Sequence, residues 1–197
     1  MNPANSILAH KAGLRATAIE HRDALPPVMR AAAAETIAAR PLPLDVSRGT
    51  MVSGFMPIRS EINPLPLMRR FAEAGARLAL PTIVKRGEPL IFRAWAIGNK
   101  LARGQWGIRE PMPEAPEVLP DILLVPFAAF DRRGHRIGYG AGYYDKSLTA
   151  LRAQKPVIAI GLGFAAQEIP AVPTLPHDAR LDLVLTEREA IDLRSVS

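Results

Sequence analysis

Strands and helices alternate along this 197-residue chain, and that alternation predicts an α/β fold, a three-layer α/β/α single domain around a mostly parallel sheet. Three observations carry the expectation. The strand candidates at 122–127 and 156–163 are continuous apolar runs, as strands buried on both faces are. Helical periodicity fills several of the stretches between strands. Neither an internal repeat nor a linker divides residues 1–197 into two cores, and the length suits one generous domain.

Residues 4–23 read as the first helix, because Ile7, Leu8, Leu14, Ala18 and Ile19 recur near 3.6-residue spacing. Pro26 and Pro27 end it. An alanine-rich helix follows over 27–39 and stops at Arg-Pro-Leu-Pro. Residues 50–56 read as a short strand, and 63–75 as a helix with prolines in its first turn and glycine at its end. Strands at 77–84 and 90–96 are joined by Arg-Gly-Glu-Pro at 86–89. Residues 98–120, about two dozen rich in proline and glycine, show no regular pattern, and a loop of that length is usually functional or mobile. After the strand at 122–127, a glycine turn opens a helix that reaches about residue 154. The strand at 156–163 follows, and 181–186 reads as the last.

Composition narrows the function. The apolar share of 48% and charged share of 22% are ordinary for a soluble globular protein. The longest apolar run, 122–130, is interrupted by proline and is far short of the roughly 20 residues that cross a bilayer. The N-terminal Met-Asn-Pro-Ala-Asn-Ser has no apolar stretch, so a secretory signal is not expected and cytoplasm is the expected compartment. With no cysteine, disulfides and thiolate ligands are excluded. A net charge of +6 suits either nucleic acid or small anions. The arginines are scattered rather than gathered into a tract, which makes nucleic acid the weaker alternative.

The segment 121–145 carries the chemistry. It runs from the apolar strand through Arg132, Arg133, His135 and Arg136 to Gly138, Gly140 and Gly142, and ends on Asp145. Glycines two apart let a backbone approach an anion, and a helix starting near Gly142 adds its N–H groups and positive dipole end. Taken alone, the spacing also suits a plain strand-to-helix turn. The basic residues and the place after a buried strand favour a phosphate site. It is neither the Rossmann spacing nor a Walker loop.

Asp145 could simply stabilise a helix start, by about 0.3–1 kcal/mol. Beside a polyphosphate it would be repelled unless Mg²⁺ bridged the two, and Mg²⁺ sites use one or two carboxylates with phosphate oxygens. Asp178, before the last strand, is a candidate second carboxylate or a turn residue. Lys11 and Arg15 share one helix face and read as solvated cations unless that face turns to the glycine loop. Glu61 could cap the helix near Asn63. Trp106 could be a mobile cover or a plug on the core, and His135 an anion contact or a surface residue.

The run Gly-His-Arg-Ile-Gly-Tyr-Gly-Ala-Gly-Tyr-Tyr-Asp at 134–145 closely resembles the signature of the 5-formyltetrahydrofolate cyclo-ligase family. Four weaker segments follow the family order: Lys11-x-x-Leu-Arg15, Phe-Met-Pro-Ile-Arg-Ser-Glu at 55–61, Gln-Trp-Gly-Ile-Arg-Glu-Pro at 105–111, and 176–186. The resemblance implies phosphorylation of the formyl oxygen of 5-formyltetrahydrofolate by ATP, attack by N10, and release of 5,10-methenyltetrahydrofolate, ADP and phosphate. It implies ATP contacts at Lys11, Arg15, Arg136, Ile137, Gly138, Tyr139, Gly140, Ala141, Gly142, Tyr143 and Tyr144. Mg²⁺ would sit on Asp145 and Asp178, and folate on Met56, Glu61, Trp106 and Tyr143. Arg136, Tyr143 and Asp145 would be catalytic. Ala141 stands where the family often has glycine or lysine, and Lys146 where it often has arginine. The partners expected are the folate and ATP, with no membrane, for a monomer or weak homo-oligomer. The alternative is a non-catalytic folate- or RNA-binding regulatory module on the same scaffold.

Overall fold

The protein is described here by a computed structural model covering residues 3–195. Its centre is a seven-stranded sheet. Five strands run parallel: β1 (Met51–Ser53), β2 (Arg77–Thr82), β6 (Ile122–Pro126), β9 (Ile158–Leu162) and β10 (Leu183–Leu185). Antiparallel β3 (Ile91–Ala94) and β11 (Ala190–Asp192) close the two edges. The sheet order is β11-β10-β9-β6-β1-β2-β3. Among the parallel strands the direction of winding therefore reverses between β1 and β6, the place where open sheets of this kind leave a crevice at their carboxyl ends.

The period of two along each strand assigns its residues to opposite faces. Ile122 and Leu124 of β6 join one core cluster, while Leu123 and Val125 join the other. Leu183 and Leu185 of β10 divide from Val184 in the same way. On the first face lie α2 (Pro27–Ala39) and α3 (Leu65–Glu73), through Ala34, Ile37, Leu67, Met68 and Phe71. On the second lies α4 (Tyr143–Arg152), through Leu148 and Leu151. These are the three layers expected. Burying both faces leaves the central strands no polar side, which is why they read as unbroken apolar runs.

The helix α1 (Pro3–Asp23) packs at one end of the sheet, with Ala18 and Leu14 against Ala129, Ile137 and Val172. Pro27 at the first turn of α2 sacrifices no helical hydrogen bond, and the helix ends at Arg40, extended before Pro41. Among the described residues no helix is long and apolar enough to cross a membrane.

Several sequence expectations are corrected. Residues 98–120 are not structureless: β4 (Leu101–Arg103), a 3₁₀ turn (Gln105–Gly107) and β5 (Arg109–Pro111) form a small hairpin. A second one, β7 (Ala129–Phe130) with β8 (Arg136–Ile137), intervenes before the glycine turn. The strand at 181–186 is not the last, because β11 pairs antiparallel with it. Glu61 does not cap α3. Asn63 Oδ1 accepts the Leu65 N–H at 3.1 Å, and Glu61 folds back on Ile58 instead.

Candidate active site

At the carboxyl ends of β1, β2 and β6 the chain encloses a cavity of about 580 Å³. Phe55 and Met56 after β1, Pro81 and Ile83 at the end of β2, and Pro126 of β6 form its floor. It lies at the reversal of winding, so the fold itself fixes where the site opens.

The glycine loop forms one wall, with Arg136, Ile137, Gly138, Tyr139, Gly140, Ala141, Gly142, Tyr143, Tyr144 and Asp145 all lining the cavity. Gly140 (φ 92°) and Gly142 (φ 66°) hold left-handed conformations that side chains resist. Gly142 is the N-cap residue of α4 and offers no side-chain cap. The first N–H groups of that helix, with its dipole end, are thus directed at the loop.

Lys11 and Arg15 do turn toward this loop. Arg15 Nε donates to the Gly138 carbonyl at 2.6 Å, and a Cβ on Gly140 would lie 3.5 Å from the same guanidinium. Lys11, only 7% exposed, is ion-paired with Asp178. Asp178 Oδ2 also accepts the Leu175 N–H at 2.7 Å, so this carboxylate is both turn residue and cavity residue. Burial pushes the Arg15 guanidinium down from its ordinary value, and the same cause lowers Arg136, against the pull of Asp145.

Arg136 and Asp145 form a second ion pair, Nη2 to Oδ1 at 2.7 Å. The other Arg136 amine donates to the Ala179 carbonyl, and the Ala179 N–H returns to Asp145 Oδ1 at 3.1 Å. Asp145 is thereby fixed by two elements rather than merely placed in a helix turn. Arg132, Arg133 and His135 do not join the cavity, which corrects the expectation that they charge the phosphate site. They lie on the β7–β8 turn. Arg132 pairs with Glu168 at 2.7 Å and with Glu189 at 2.5 Å, and Arg133 pairs with Asp131 at 2.9 Å. Asp131 organises that turn: burial alone would raise its carboxyl, but N–H groups of Val172, Arg133 and His135 and the Arg133 guanidinium hold it low.

Met56 and Glu61 line the cavity on the β1 side. Arg59, the one non-glycine residue with positive φ (56°) among those described, makes the turn that brings Glu61 back onto the Ile58 N–H at 2.7 Å. Glu61 Oε1 is buried without a geometric hydrogen-bond partner among the described residues. Burial pushes the Glu61 carboxyl up, and the Ile58 N–H, the Tyr139 hydroxyl and the Arg22 charge oppose the rise. The same surroundings push the Tyr139 hydroxyl up to about 12, through burial and then the Glu61 charge, with Arg22 opposing. The Trp106 side chain lies outside the described residues.

Sequence reasoning missed Arg22, Arg59, Glu110 and His177. Arg59, Glu110 and His177 line the cavity. Arg22, 1% exposed, donates to Ser60 Oγ at 2.9 Å and to the Tyr139 hydroxyl, tying α1 to both walls. Nothing in periodicity separates these residues from solvated charge. Only the segments 55–61, 105–111 and 176–186, which contain Arg59, Glu110 and His177, pointed toward three of them, and nothing pointed toward Arg22.

No cluster of three or more His, Asp or Glu side chains able to hold a metal exists among the described residues. A Mg²⁺ ion carried with a polyphosphate needs fewer, and Asp145 and Asp178 fit that requirement. The bonds described above fall on Oδ1 of Asp145 and Oδ2 of Asp178, leaving the second oxygen of each outside them.

Comparison with known proteins extends this geometry. The family model described as "5-formyltetrahydrofolate cyclo-ligase family" matches residues 7–187. A protein of Mycolicibacterium smegmatis named 5-formyltetrahydrofolate cyclo-ligase is 32% identical over 191 residues, covering 92% of this chain and 95% of that protein. One of the same name from Escherichia coli K12 is 30% identical, covering 68% and 76%. The solved structure of Aquifex aeolicus 5,10-methenyltetrahydrofolate synthetase superimposes with a TM-score of 0.78 at 26% identity, covering 95% of this chain and 94% of that one.

Proposed function

The chain belongs to the 5-formyltetrahydrofolate cyclo-ligase family, and on that footing we propose that it converts 5-formyltetrahydrofolate to 5,10-methenyltetrahydrofolate with MgATP, as a single domain. The observation that carries the reading is that one cavity gathers Lys11, Arg15, the 136–145 loop, Met56, Glu61 and Asp178 from four separate parts of the chain. A nucleotide site alone would not need Met56 and Glu61 beside the loop.

The chemistry follows from this arrangement. The formyl oxygen attacks the γ-phosphorus, ADP leaves, and the formyl carbon becomes electrophilic. N10 then attacks that carbon and gives up its proton, and the carbon–oxygen bond breaks to release phosphate. No side-chain nucleophile is required. Positioning and charge neutralisation supply the acceleration, as in other phosphoryl transfers. Lys11, Arg15 and the N-terminus of α4 hold the phosphates, while Arg136, pinned by Asp145 and Ala179, presents a fixed positive charge. Tyr143, 8% exposed at the start of α4, covers the reacting groups. Met56 and Glu61 hold the folate, and the family resemblance alone adds Trp106. Asp145 and Asp178 would hold Mg²⁺, which when bound neutralises phosphate charge.

The basic balance does not favour an RNA module. Arg132, Arg133, Arg152 and Arg194 are all paired with carboxylates rather than offered as an open basic face. The reading places a monomer or weak homo-oligomer in the cytoplasm. Incubation with 5-formyltetrahydrofolate and MgATP should raise the near-ultraviolet absorbance of the methenyl product, with stoichiometric ADP. Well-folded protein that gives neither, yet binds RNA with steep salt dependence, would refute the proposal.

A further inference from the structure

Glu110 is a cavity carboxylate to which the reaction above gives no task. It stands on β5 and is 7% exposed, and no lysine or arginine pairs with it among the described residues. Its Oε1 accepts the Ile83 N–H at 3.2 Å, a long bond for a carboxylate. Burial pushes its carboxyl up, with only that N–H opposing. The hairpin is built to admit it: a Cβ on Gly104 would fall 2.1–2.5 Å from the Glu110 carboxylate atoms. Gly104 has an ordinary φ of −81°, so a side chain there would displace the end of Glu110 rather than strain the backbone.

The other cavity carboxylates have tasks. Asp145 and Asp178 face cations, and Glu61 takes the Ile58 N–H on one oxygen and serves the folate in the reaction above. A buried carboxylate with one weak partner is costly until a donor reaches it. It repels phosphates and a glutamate tail alike, so it suits the uncharged, N–H-bearing part of a ligand. The neighbouring Ile83, Ile108 and Pro81 side chains offer that part an apolar bed.

We infer that Glu110 is a second polar anchor for the reduced pterin of the folate, accepting a ring N–H or amino hydrogen that Glu61 does not serve. The inference rests on the folate reading of the cavity. Its geometry makes Glu110→Gln decisive. The amide oxygen must stay on the Ile83 N–H, so the amide NH₂ is left facing the ligand donor, a mismatch. A purely structural Glu110 would instead be replaced by Gln without loss.

Binding of 5-formyltetrahydrofolate and of MgATP, each alone, is measured by calorimetry for wild type, E110Q and E110A, with melting temperatures alongside. Folate affinity should fall about ten- to hundredfold in both variants, as for a lost hydrogen bond to a charged group. MgATP affinity should stay within about twofold, and E110Q should melt no lower than wild type. Wild-type folate affinity in E110Q overturns the inference, and so does a loss confined to MgATP, which would place adenine there. A wild type that makes methenyl product beside an unaltered E110Q sinks this inference alone. A wild type that binds no folate sinks the functional reading with it.

Discussion

Replacing Asp145 by Asn separates a metal-site carboxylate from a structural one. Asn keeps the shape and one acceptor oxygen but removes the charge that Arg136 meets at 2.7 Å. Breaking a fully buried pair costs about 3–5 kcal/mol. Here the Asp145 side chain is 24% exposed and Arg136 keeps the Ala179 carbonyl, so the value of a charged hydrogen bond, about 2 kcal/mol, is the better figure. For a chain of this size that lowers the melting temperature by roughly 4–8 °C. Even from a stability of about 5 kcal/mol, some 3 kcal/mol would remain, which leaves roughly 99% of the molecules folded at 25 °C. Unfolding therefore cannot explain a large loss of rate. If Asp145 also holds Mg²⁺, turnover should fall at least about a hundredfold, equivalent to roughly 2.7 kcal/mol of transition-state stabilisation. Initial rates of methenyl formation across a Mg²⁺ series at fixed ATP, beside thermal melts, measure both effects. A rate that drops only a few fold, with unchanged Mg²⁺ dependence, would return Asp145 to a purely structural role.

Glu61→Gln should stabilise the ligand-free protein increasingly as pH rises. The folded carboxyl titrates above its ordinary 4.5, so between the two values the folded state retains a proton that the unfolded state has lost. Wild-type stability from this group is thus present at low pH and lost as pH rises through the folded value. Paired melts from pH 4 to 8, run at roughly one-unit steps, should show the mutant-minus-wild-type difference growing with pH; a flat difference counts against it. Gly142→Ala should cost about 1–2 kcal/mol from its φ of 66° alone, because a Cβ there meets nothing within 4 Å. Chemical denaturation should show that loss as a lower midpoint with unchanged slope. Arg22→Lys cannot reproduce the fork on Ser60 and Tyr139. Steady-state kinetics should give a loss of about five- to tenfold in kcat/KM, roughly 1–1.4 kcal/mol, with the larger part in KM for ATP.

What could be read from the chain depended on whether the cause was local. β6 and β9 announced themselves because burial on both faces leaves only apolar side chains, a property written at every position of the strand. The β4–β5 and β7–β8 hairpins did not, since strands of two or three residues have no period to detect. Lys11 and Arg15 could be placed on one face by spacing alone. Which way that face points was decided by packing of Ala18 and Leu14 on residues more than a hundred positions away. Arg132 and Arg133 failed for the converse reason. They are neighbours of the glycine loop in sequence, but a tight turn carries Arg132 to Glu168 and Glu189 and folds Arg133 onto Asp131. The deepest gap concerns Arg22 and Glu110. A charge in a sequence is read as solvated by default, and only distant partners such as Tyr139, Ile83 and Gly104 make these two buried. Buried charge is costly wherever it has no strong partner. Where this fold tolerates it beside a cavity, the ligand is the partner to look for, which makes Glu110 more informative than the exposed cations that outnumber it.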